Sequence, residues 1–577
     1  MKMIRHQIVA ICPNTECLRD VKIDLQKGVI IPLFLEKWVS VNKAIDDMKY
    51  GIRIRNPWSP WHGSFVTYCP KVSKCQNDPF SLRLRGTWRR CKKAGMKQDQ
   101  RQSPSRVVIY GAGSAGELVV EGLSRLKEPS LIAVAFVDDD PSRAGGTLHG
   151  LPIECASGSI RAIVEKYKAD RVLIAIPSAP GRRIREIHKK LFDEGVLAWI
   201  VPGVYSIVSS NEPITTFREI KPEDFLRRHP RVLDKGRIRP FLRGQRVLVT
   251  GAAGTIGMEL AGQLAAFDLE ALGCADQSEY GIYRLKEIFS AEGTTAPTRH
   301  FFLADLSRES DVQAIFDEFR PTVVFHAAAY KHVRLLESAP RAAILNNIGS
   351  TYHLVQFALQ RDVRAFVHIS TDKAIQPVSV MGATKRAGEI VVQAAQVVDP
   401  ARKFLSVRFG NVLGSSGSVF PKFVEQIERG GPVTVSDPGA RRYFMLTSEA
   451  VELVLWSAAV GSGGKIYLLD LGEPVYITEL VNDLMRFMGR RPGRDIEIVY
   501  TGLEPGEKLL EDFSDVSAKQ IDEHLLEVES DLPSPDTVES TVAVLMNSAV
   551  EGDMMSALLA LQDLVPEYNP DFVQEKR

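Results

Sequence analysis

The sequence predicts an α/β protein built on two parallel, doubly wound sheets in tandem. Three observations carry that expectation. A short apolar strand runs straight into a glycine-rich turn and a helix pattern twice. The first case is Val107-Val-Ile-Tyr110 followed by Gly111-Ala-Gly-Ser-Ala-Gly116, and the second is Arg246-Val-Leu-Val-Thr250 followed by Gly251-Ala-Ala-Gly254-Thr-Ile-Gly257. Beyond each turn apolar strands alternate with helical patterns, as parallel sheets with crossover helices require. Each second strand ends on an acid, Asp138 or Asp276. The two units are too divergent and too far apart for a solenoid repeat.

In order along the chain, the first unit spans 106–210. It has predicted strands over 107–110, 131–137 and 171–176, and helices over 117–126 and 159–168. A polar, Arg-rich connector with prolines covers 211–243. The second unit, 244–577, places strands over 246–250, 270–275, 322–326, 365–370 and 403–408. The alternation breaks after about Val412, where a smaller substrate-binding lobe is expected. Both units read as Rossmann-like.

Residues 1–105 differ in texture. They hold 20 Lys and Arg against 8 Asp and Glu, a net +12, leaving −11 for the remainder of a chain whose overall charge is +1. This segment shows little periodicity and contains Arg89-Arg-Cys-Lys-Lys93. It reads either as a solvated extension or as a contact for an anionic surface such as lipid headgroups or RNA. The chain as a whole, 45% hydrophobic and 25% charged, gives no argument for a nucleic-acid partner. Five of the seven cysteines lie in this segment, and the spacings Cys12–Cys17 and Cys69–Cys75 suit a zinc site poorly. An odd cysteine count without a signal peptide argues against a disulfide framework. No metal is expected, and a reducing cytoplasmic location is. The basic N-terminus allows peripheral contact with the inner face of a membrane. No stretch approaches the roughly 20 apolar residues of a membrane span.

The second glycine turn has the context of a dinucleotide site. Gly251, Gly254 and Gly257 permit a tight turn and close approach to a pyrophosphate, which rests on the helix opened by Thr255 and Ile256. Asp276, 19 residues after Gly257, is placed to bind ribose hydroxyls. An acid there disfavours a 2′-phosphate, so NAD is expected rather than NADP. The bland alternative is a glycine turn with no ligand. Gly111, Gly113 and Gly116 with Asp138 fit the same fingerprint, and their ligand is open: another nucleotide, or nothing.

Two further stretches narrow the chemistry. Ser370-Thr371-Asp372-Lys373 closes a strand, and Met381-Gly-Ala-Thr-Lys385 follows. In short-chain dehydrogenases the latter normally reads Tyr-x-x-x-Lys, with both side chains on one helix face. Met381 cannot transfer a proton, which argues against Tyr-driven reduction or epimerisation. Asp372 and Lys373 could be an ordinary exposed ion pair, but the carboxyl end of such a strand is where ligands bind.

From about residue 105 to 577 the chain resembles the large CapD-like polysaccharide-biosynthesis subgroup of nucleotide-sugar 4,6-dehydratases, within the extended short-chain dehydrogenase/reductase superfamily. The stretches that carry this are 247–257, Phe325-His-Ala-Ala-Ala-Tyr-Lys-His332, Ser370-Thr-Asp-Lys-Ala374, Val380-Met-Gly-Ala-Thr-Lys385, Val407-Arg-Phe-Gly-Asn-Val-Leu-Gly414, Asp437-Pro, Arg442-Tyr-Phe-Met445 and Glu504-Pro-Gly-Glu-Lys508. Met in place of Tyr is itself a mark of the subgroup. The resemblance implies a UDP-N-acetylglucosamine type of substrate, oxidation at C4, loss of water across C5–C6 and hydride return to C6. It assigns acid and base to Asp372 and Lys373 and a hydrogen bond to the C4 oxygen to Thr371. The acceptor of the C4 hydroxyl proton is left open between Lys373 and a water held by Thr371. Asp305, Leu306, Ala327 and Ala328 are implied to line the NAD site, and Lys385 to hold the nicotinamide ribose. Lys331, His332, Asn347, Arg408, Asn411, Arg442 and Glu507 are implied substrate contacts, and a homo-oligomer the implied assembly. The longer relatives carry N-terminal transmembrane helices, whereas this chain has the basic segment. The family turn is usually of a Gly-Gly-Ser type, whereas this one reads Ala-Ala-Gly-Thr. The competing readings are a nucleotide-sugar epimerase and a catalytically idle NAD-binding scaffold.

Overall fold

The computed structural model describes residues 104–124, 131–202, 218–220, 224, 235–290, 297–413, 415, 418–469, 471–511 and 517–568, and the backbone of a short strand pair at 23–24 and 29–30. The rest of the basic segment before residue 104, with its cysteines, and residues 211–217, 221–223 and 225–234 of the 211–243 connector lie outside the described residues.

The first sheet has seven strands in the order Thr147–Leu148, Leu151–Cys155, Leu131–Asp138, Ser105–Tyr110, Arg171–Ile174, Ala198–Ile200 and Arg218–Glu219. The five inner strands run parallel and the two edge strands antiparallel. The central strand buries Val107, Val108, Ile109 and Tyr110, the continuous apolar run expected of a strand covered on both faces. The second sheet has nine strands, in the order Thr298–Leu303, Ala271–Asp276, Arg246–Thr250, Val323–His326, Ala365–Ile369, Lys403–Arg408, Ile466–Leu469, Leu525–Val528 and Ala518–Asp522. Its first seven strands are parallel; Leu525–Val528 pairs antiparallel with Ile466–Leu469, and Ala518–Asp522 antiparallel with Leu525–Val528. The fold is therefore α/β and doubly wound. In both sheets the chain starts in the middle, builds outward one way, and then returns to build the other way. The crevice at that reversal is where ligands bind in such sheets, and each glycine turn lies there.

The region after Val412 is more divided than its sequence suggests. Helices Val419–Glu428 and Ile477–Phe487 and strands Val433–Val435 and Ile498–Tyr500 share a small core around Phe423, Val433, Leu480 and Leu484. Between and after these elements the chain goes back to the main sheet, first with Ile466–Leu469 and then with the 518–528 hairpin. It ends in helices Pro535–Glu551 and Met554–Leu564, whose Val542, Leu545 and Leu561 join the core beneath the main sheet. That pair covers helix Val380–Val398, leaving almost no residue of it exposed before Val397. Among the described residues no helix is long and apolar enough to cross a membrane.

The C-terminal helices are thus part of the core. Leu545, with no exposed surface, and Val544, 54% exposed, are neighbours on the same helix. Leu545→Ala should lower unfolding stability by about 2–5 kcal/mol, and Val544→Ala should leave it within about 0.5 kcal/mol. Urea midpoints of the two variants check this; equal midpoints would show that the helix is not packed as described.

Candidate active site

The cradle is built by glycine. Gly251 has φ +64°, and a Cβ on it would fall 2.6 Å from the backbone nitrogen of Ala328. A Cβ on Gly257 would lie 2.1 Å from the Gly251 carbonyl oxygen. The turn is therefore pressed against the end of strand Val323–His326 and against its own helix, Thr255–Leu264. Asp276 is fixed at the next strand end. Its Oδ2 accepts from Ala253 N at 2.9 Å and its Oδ1 from Ser278 N at 2.8 Å. A carboxylate has about four acceptor positions, so it retains capacity for two hydroxyls. A cleft of about 260 Å³ opens here, lined among others by Gly251, Gly254, Asp276, Leu306, Ala327 and Ala328. A dinucleotide fits this donor set: backbone N–H groups at a helix start, a small-residue wall and a ribose-binding acid. Asp305 does not line the cleft; its Oδ1 caps the following turn, accepting from Ser307 N and Oγ.

The first glycine turn repeats the arrangement. Gly111 has φ +110°, and a Cβ on Gly116 would also fall 2.1 Å from a carbonyl oxygen, that of Gly111. Asp138 accepts from Ala112 N at 2.7 Å and Asp140 N at 3.0 Å, as Asp276 does from its own turn.

Beyond the cradle, the strand Ala365–Ile369 delivers Thr371, Asp372 and Lys373. Ser370 N and Asp372 N donate to Val407 O and Phe409 O, which stitches this turn to the neighbouring strand. Thr371 Oγ1 donates to Asp372 Oδ1 at 2.7 Å. Lys373 Nζ lies 3.0 Å from Asp372 Oδ1, 3.4 Å from Asn411 Oδ1 and 3.5 Å from Glu511 Oε1. Burial pulls the Lys373 ammonium down, but Asp372 and Glu511 outweigh it and hold its pKa above the ordinary lysine range. Sequence reasoning missed Glu511. The signal was its place three residues after Lys508, just past the Glu504-Pro-Gly-Glu-Lys508 stretch.

A second buried lysine behaves differently. Lys385 Nζ donates to His368 Nε2 at 2.9 Å. His368 therefore carries its proton on Nδ1, toward Ser406 Oγ at 3.3 Å. The neighbouring His326 lies between Thr250 Oγ1 at 2.8 Å and Thr351 Oγ1 at 2.9 Å. Thr250, His326, His368 and Ser406 occupy one register row across four adjacent parallel strands. Burial first, and then the Lys385 charge, hold both imidazoles well below their usual range, so they are neutral. Burial brings Lys385 down to about 8, against a smaller opposing pull from Glu389.

Several expected site residues are engaged elsewhere. Met381 is 4% exposed and belongs to the apolar core, so it is a packing group and not a catalytic one. Asn347, expected to contact substrate, uses its whole amide on the protein. Its Oδ1 accepts from Tyr330 N at 2.7 Å, and its Nδ2 donates to Tyr330 O and Thr384 Oγ1. It lies in the π-helical turn Ile344–Gly349 and clips the 330 loop to the long helix. Arg408, likewise expected to contact substrate, is buried, with Nε and Nη2 on the two oxygens of Glu389 at 2.7 and 2.5 Å. A fully desolvated carboxylate needs that pairing, so Arg408 belongs to the wall. Arg442 and Glu507 are brought together at 3.0 Å, with Arg442 Nε 3.9 Å from Glu511. Lys331 and His332 are exposed where helix Val333–Glu337 begins.

A family model described as polysaccharide biosynthesis protein matches residues 247–527, and one described as a CoA-binding domain matches residues 81–202. The chain is 38% identical over 425 residues to the probable polysaccharide biosynthesis protein EpsC of Bacillus subtilis strain 168, which covers 73% of this chain and 71% of that one. The chain belongs to the polysaccharide biosynthesis protein family. Another relative in this family, the capsular polysaccharide biosynthesis protein CapD of Staphylococcus aureus, is 36% identical over 448 residues, covering 75% of this chain and 74% of that one. The X-ray structure of Pen from Bacillus thuringiensis is 29% identical with a TM-score of 0.47, covering 51% of this chain and 91% of that one.

The state of Lys385 has a measurable sign. Below about pH 8 the folded and unfolded chains both carry its proton, and folding bears the full cost of burying the charge. Between about 8 and the ordinary value of 10.5 the folded chain has lost the proton and the cost fades. The stability of the wild type relative to Lys385→Met should therefore rise from pH 7 to pH 10, by up to about 3 kcal/mol. Urea unfolding of both proteins at the two pH values measures it; a difference that stays flat or falls would contradict the burial of a charged Lys385.

Proposed function

We propose that this chain is an NAD-dependent nucleotide-sugar 4,6-dehydratase acting on UDP-N-acetylglucosamine and forming the UDP-4-keto-6-deoxy sugar. The observation that carries the reading is the Thr371-Asp372-Lys373 turn at the carboxyl end of strand Ala365–Ile369, with Met381 packed where a proton-transferring Tyr would be needed for epimerisation. Membership of a family named for polysaccharide biosynthesis supports a nucleotide-sugar substrate.

NAD, held by Gly251, Gly254, Asp276, Leu306, Ala327 and Ala328, would take a hydride from the sugar and give it back, so no net oxidant is consumed. The protein's own share is to position and to move protons. Thr371 Oγ1, at the tip of the turn, is the group for the C4 oxygen. The Asp372–Lys373 pair supplies the proton transfers at C5 and C6. Loss of water from a carbon next to an acidified C–H needs an acid and a base within reach of adjacent atoms, and adjacent residues on one tight turn meet that need.

Purified protein incubated with UDP-N-acetylglucosamine should yield a product lighter by one water. A product of unchanged mass would indicate an epimerase, and no product would indicate a binding protein. Lys373→Ala should keep NAD bound, because Lys373 is not among the residues lining the cradle cleft, while water loss falls by at least about 100-fold. A Lys373→Ala protein that still dehydrates at wild-type rate would remove Lys373 from the chemistry.

A further inference from the structure

We propose that His368 is a positioning residue for the cofactor: its Nε2 takes one N–H of the Lys385 ammonium and so directs the other two to the ribose hydroxyls of NAD. This rests on Lys385 meeting the cofactor ribose and names the residue that holds it there.

A polar row crosses the main sheet where a doubly covered sheet is normally apolar. Thr250, His326, His368 and Ser406 stand at one register position on four adjacent parallel strands. None of the four has exposed surface. The hydrogens along the row can be assigned. Thr351 Oγ1 donates to Asn347 O at 2.7 Å, so it accepts from His326 Nε2 at 2.9 Å. His326 Nδ1 is then an acceptor, for Thr250 Oγ1 at 2.8 Å. His368 is the opposite tautomer. Its Nε2 faces Lys385 Nζ at 2.9 Å, and an ammonium has donors only, so Nε2 accepts. Its Nδ1 carries the hydrogen, toward Ser406 Oγ at 3.3 Å. Burial first, and then the Lys385 charge, keep this imidazole neutral, so the acceptor stays available.

Helix Val380–Val398 is shaped to admit the ring. A Cβ on Gly388 would fall 2.9 Å from His368 Cε1 and 3.1 Å from its Nε2. Gly388 follows Lys385 by three residues, on the same face of the helix. Glycine inside a helix is otherwise unfavourable; here the imidazole takes the space its side chain would fill.

Lys385 is 6% exposed, and His368 Nε2 is the one hydrogen-bond acceptor of its Nζ among the described residues. Glu389, four residues on, pulls on the ammonium only from a distance, because its carboxylate is taken by Arg408 and Arg386. Two N–H donors of an almost wholly buried ammonium are thus unmatched by protein. The adjacent hydroxyls of a ribose fit them, each able to accept one hydrogen bond. The row also reaches the cradle. Thr250 directly precedes Gly251, and its Oγ1 lies 3.5 Å from the N–H nitrogen of Ala328 in the cleft wall. A carboxylate at 368 would pair with Lys385 and hold it back from the cofactor, and an apolar residue would leave it with no anchor. A neutral imidazole gives direction without a competing charge.

The test is titration of NAD into the full chain at neutral pH. The proteins compared are the wild type, His368→Leu, His368→Gln, Lys385→Met and the double variant His368→Leu with Lys385→Met. His368→Leu and Lys385→Met should each weaken NAD binding by about tenfold or more, as loss of a hydrogen bond to a charged group does. His368→Gln, whose amide oxygen can stand where Nε2 does, should lie between the wild type and His368→Leu. The double variant should bind no more weakly than Lys385→Met, since the ring then has nothing to hold. A double variant weakened by the product of the two single effects would show that the ring acts through packing alone and would overturn the proposal. So would a His368→Leu protein that binds NAD as the wild type does. Should His368→Leu fail to fold, Gly388→Ala, which presses on the ring, reads the same coupling when combined with Lys385→Met. A wild-type chain that binds no NAD is a separate result, and it would overturn the cofactor reading itself.

Discussion

The helix Val380–Val398 is enclosed by protein, yet Thr384, Lys385, Glu389, Gln393 and Gln396 along it are all polar and all buried. Each needs a partner, because an unpaired polar group away from water costs more than its hydrogen bond would have contributed. The partners come from different parts of the chain. Thr384 takes Asn347, Lys385 takes His368, and Glu389 takes Arg408 and Arg386. Gln393 reaches Gly464 O and Ser530, and Gln396 holds Phe404 N and Arg402 O. The strands, the 330 loop and the turn before the Ile466–Leu469 strand are thus registered against one helix. The cleft is formed by what that helix holds in place.

The two lysines of the site show how far neighbours decide the behaviour of one chemical group. Both are withdrawn from water. Lys385 has a neutral imidazole as its acceptor and titrates near 8. Lys373 has two carboxylates and is held above the ordinary range. Desolvation acts on both in the same sense; the pull of Asp372 and Glu511 is what lifts Lys373.

Much of the framework was legible in the residues. Apolar runs ending in glycine turns placed the strands Ser105–Tyr110 and Arg246–Thr250, and the turn fingerprint led to Asp276. Strand Thr298–Leu303 escaped notice because it carries Arg299 and His300 and is only partly buried. Strands Ile466–Leu469 and Leu525–Val528 were hidden because lobe elements interrupt the alternation on which the reading depended. At the site, Thr371, Asp372 and Lys373 could be found because they are consecutive. The partners of Arg408 and Asn347 could not be read for a common reason: a sequence shows a polar side chain but not whether the protein has already used it. Glu511 was missed because its meaning lies in a lobe segment folding back over a turn far away in the chain.

The return of the chain to its main sheet has a consequence for how the protein must be made. Ile466–Leu469 is apolar throughout and buried, and one of its edges is closed only by Leu525–Val528. On the ribosome, that edge emerges with the lobe helix Ile477–Phe487 and strand Ile498–Tyr500 still to be synthesised before its partner arrives. An open apolar edge is a template for pairing with other chains. A nascent chain stalled or cut within that interval would have the glycine cradle and the Thr371–Lys373 turn, yet it would carry a surface that invites aggregation.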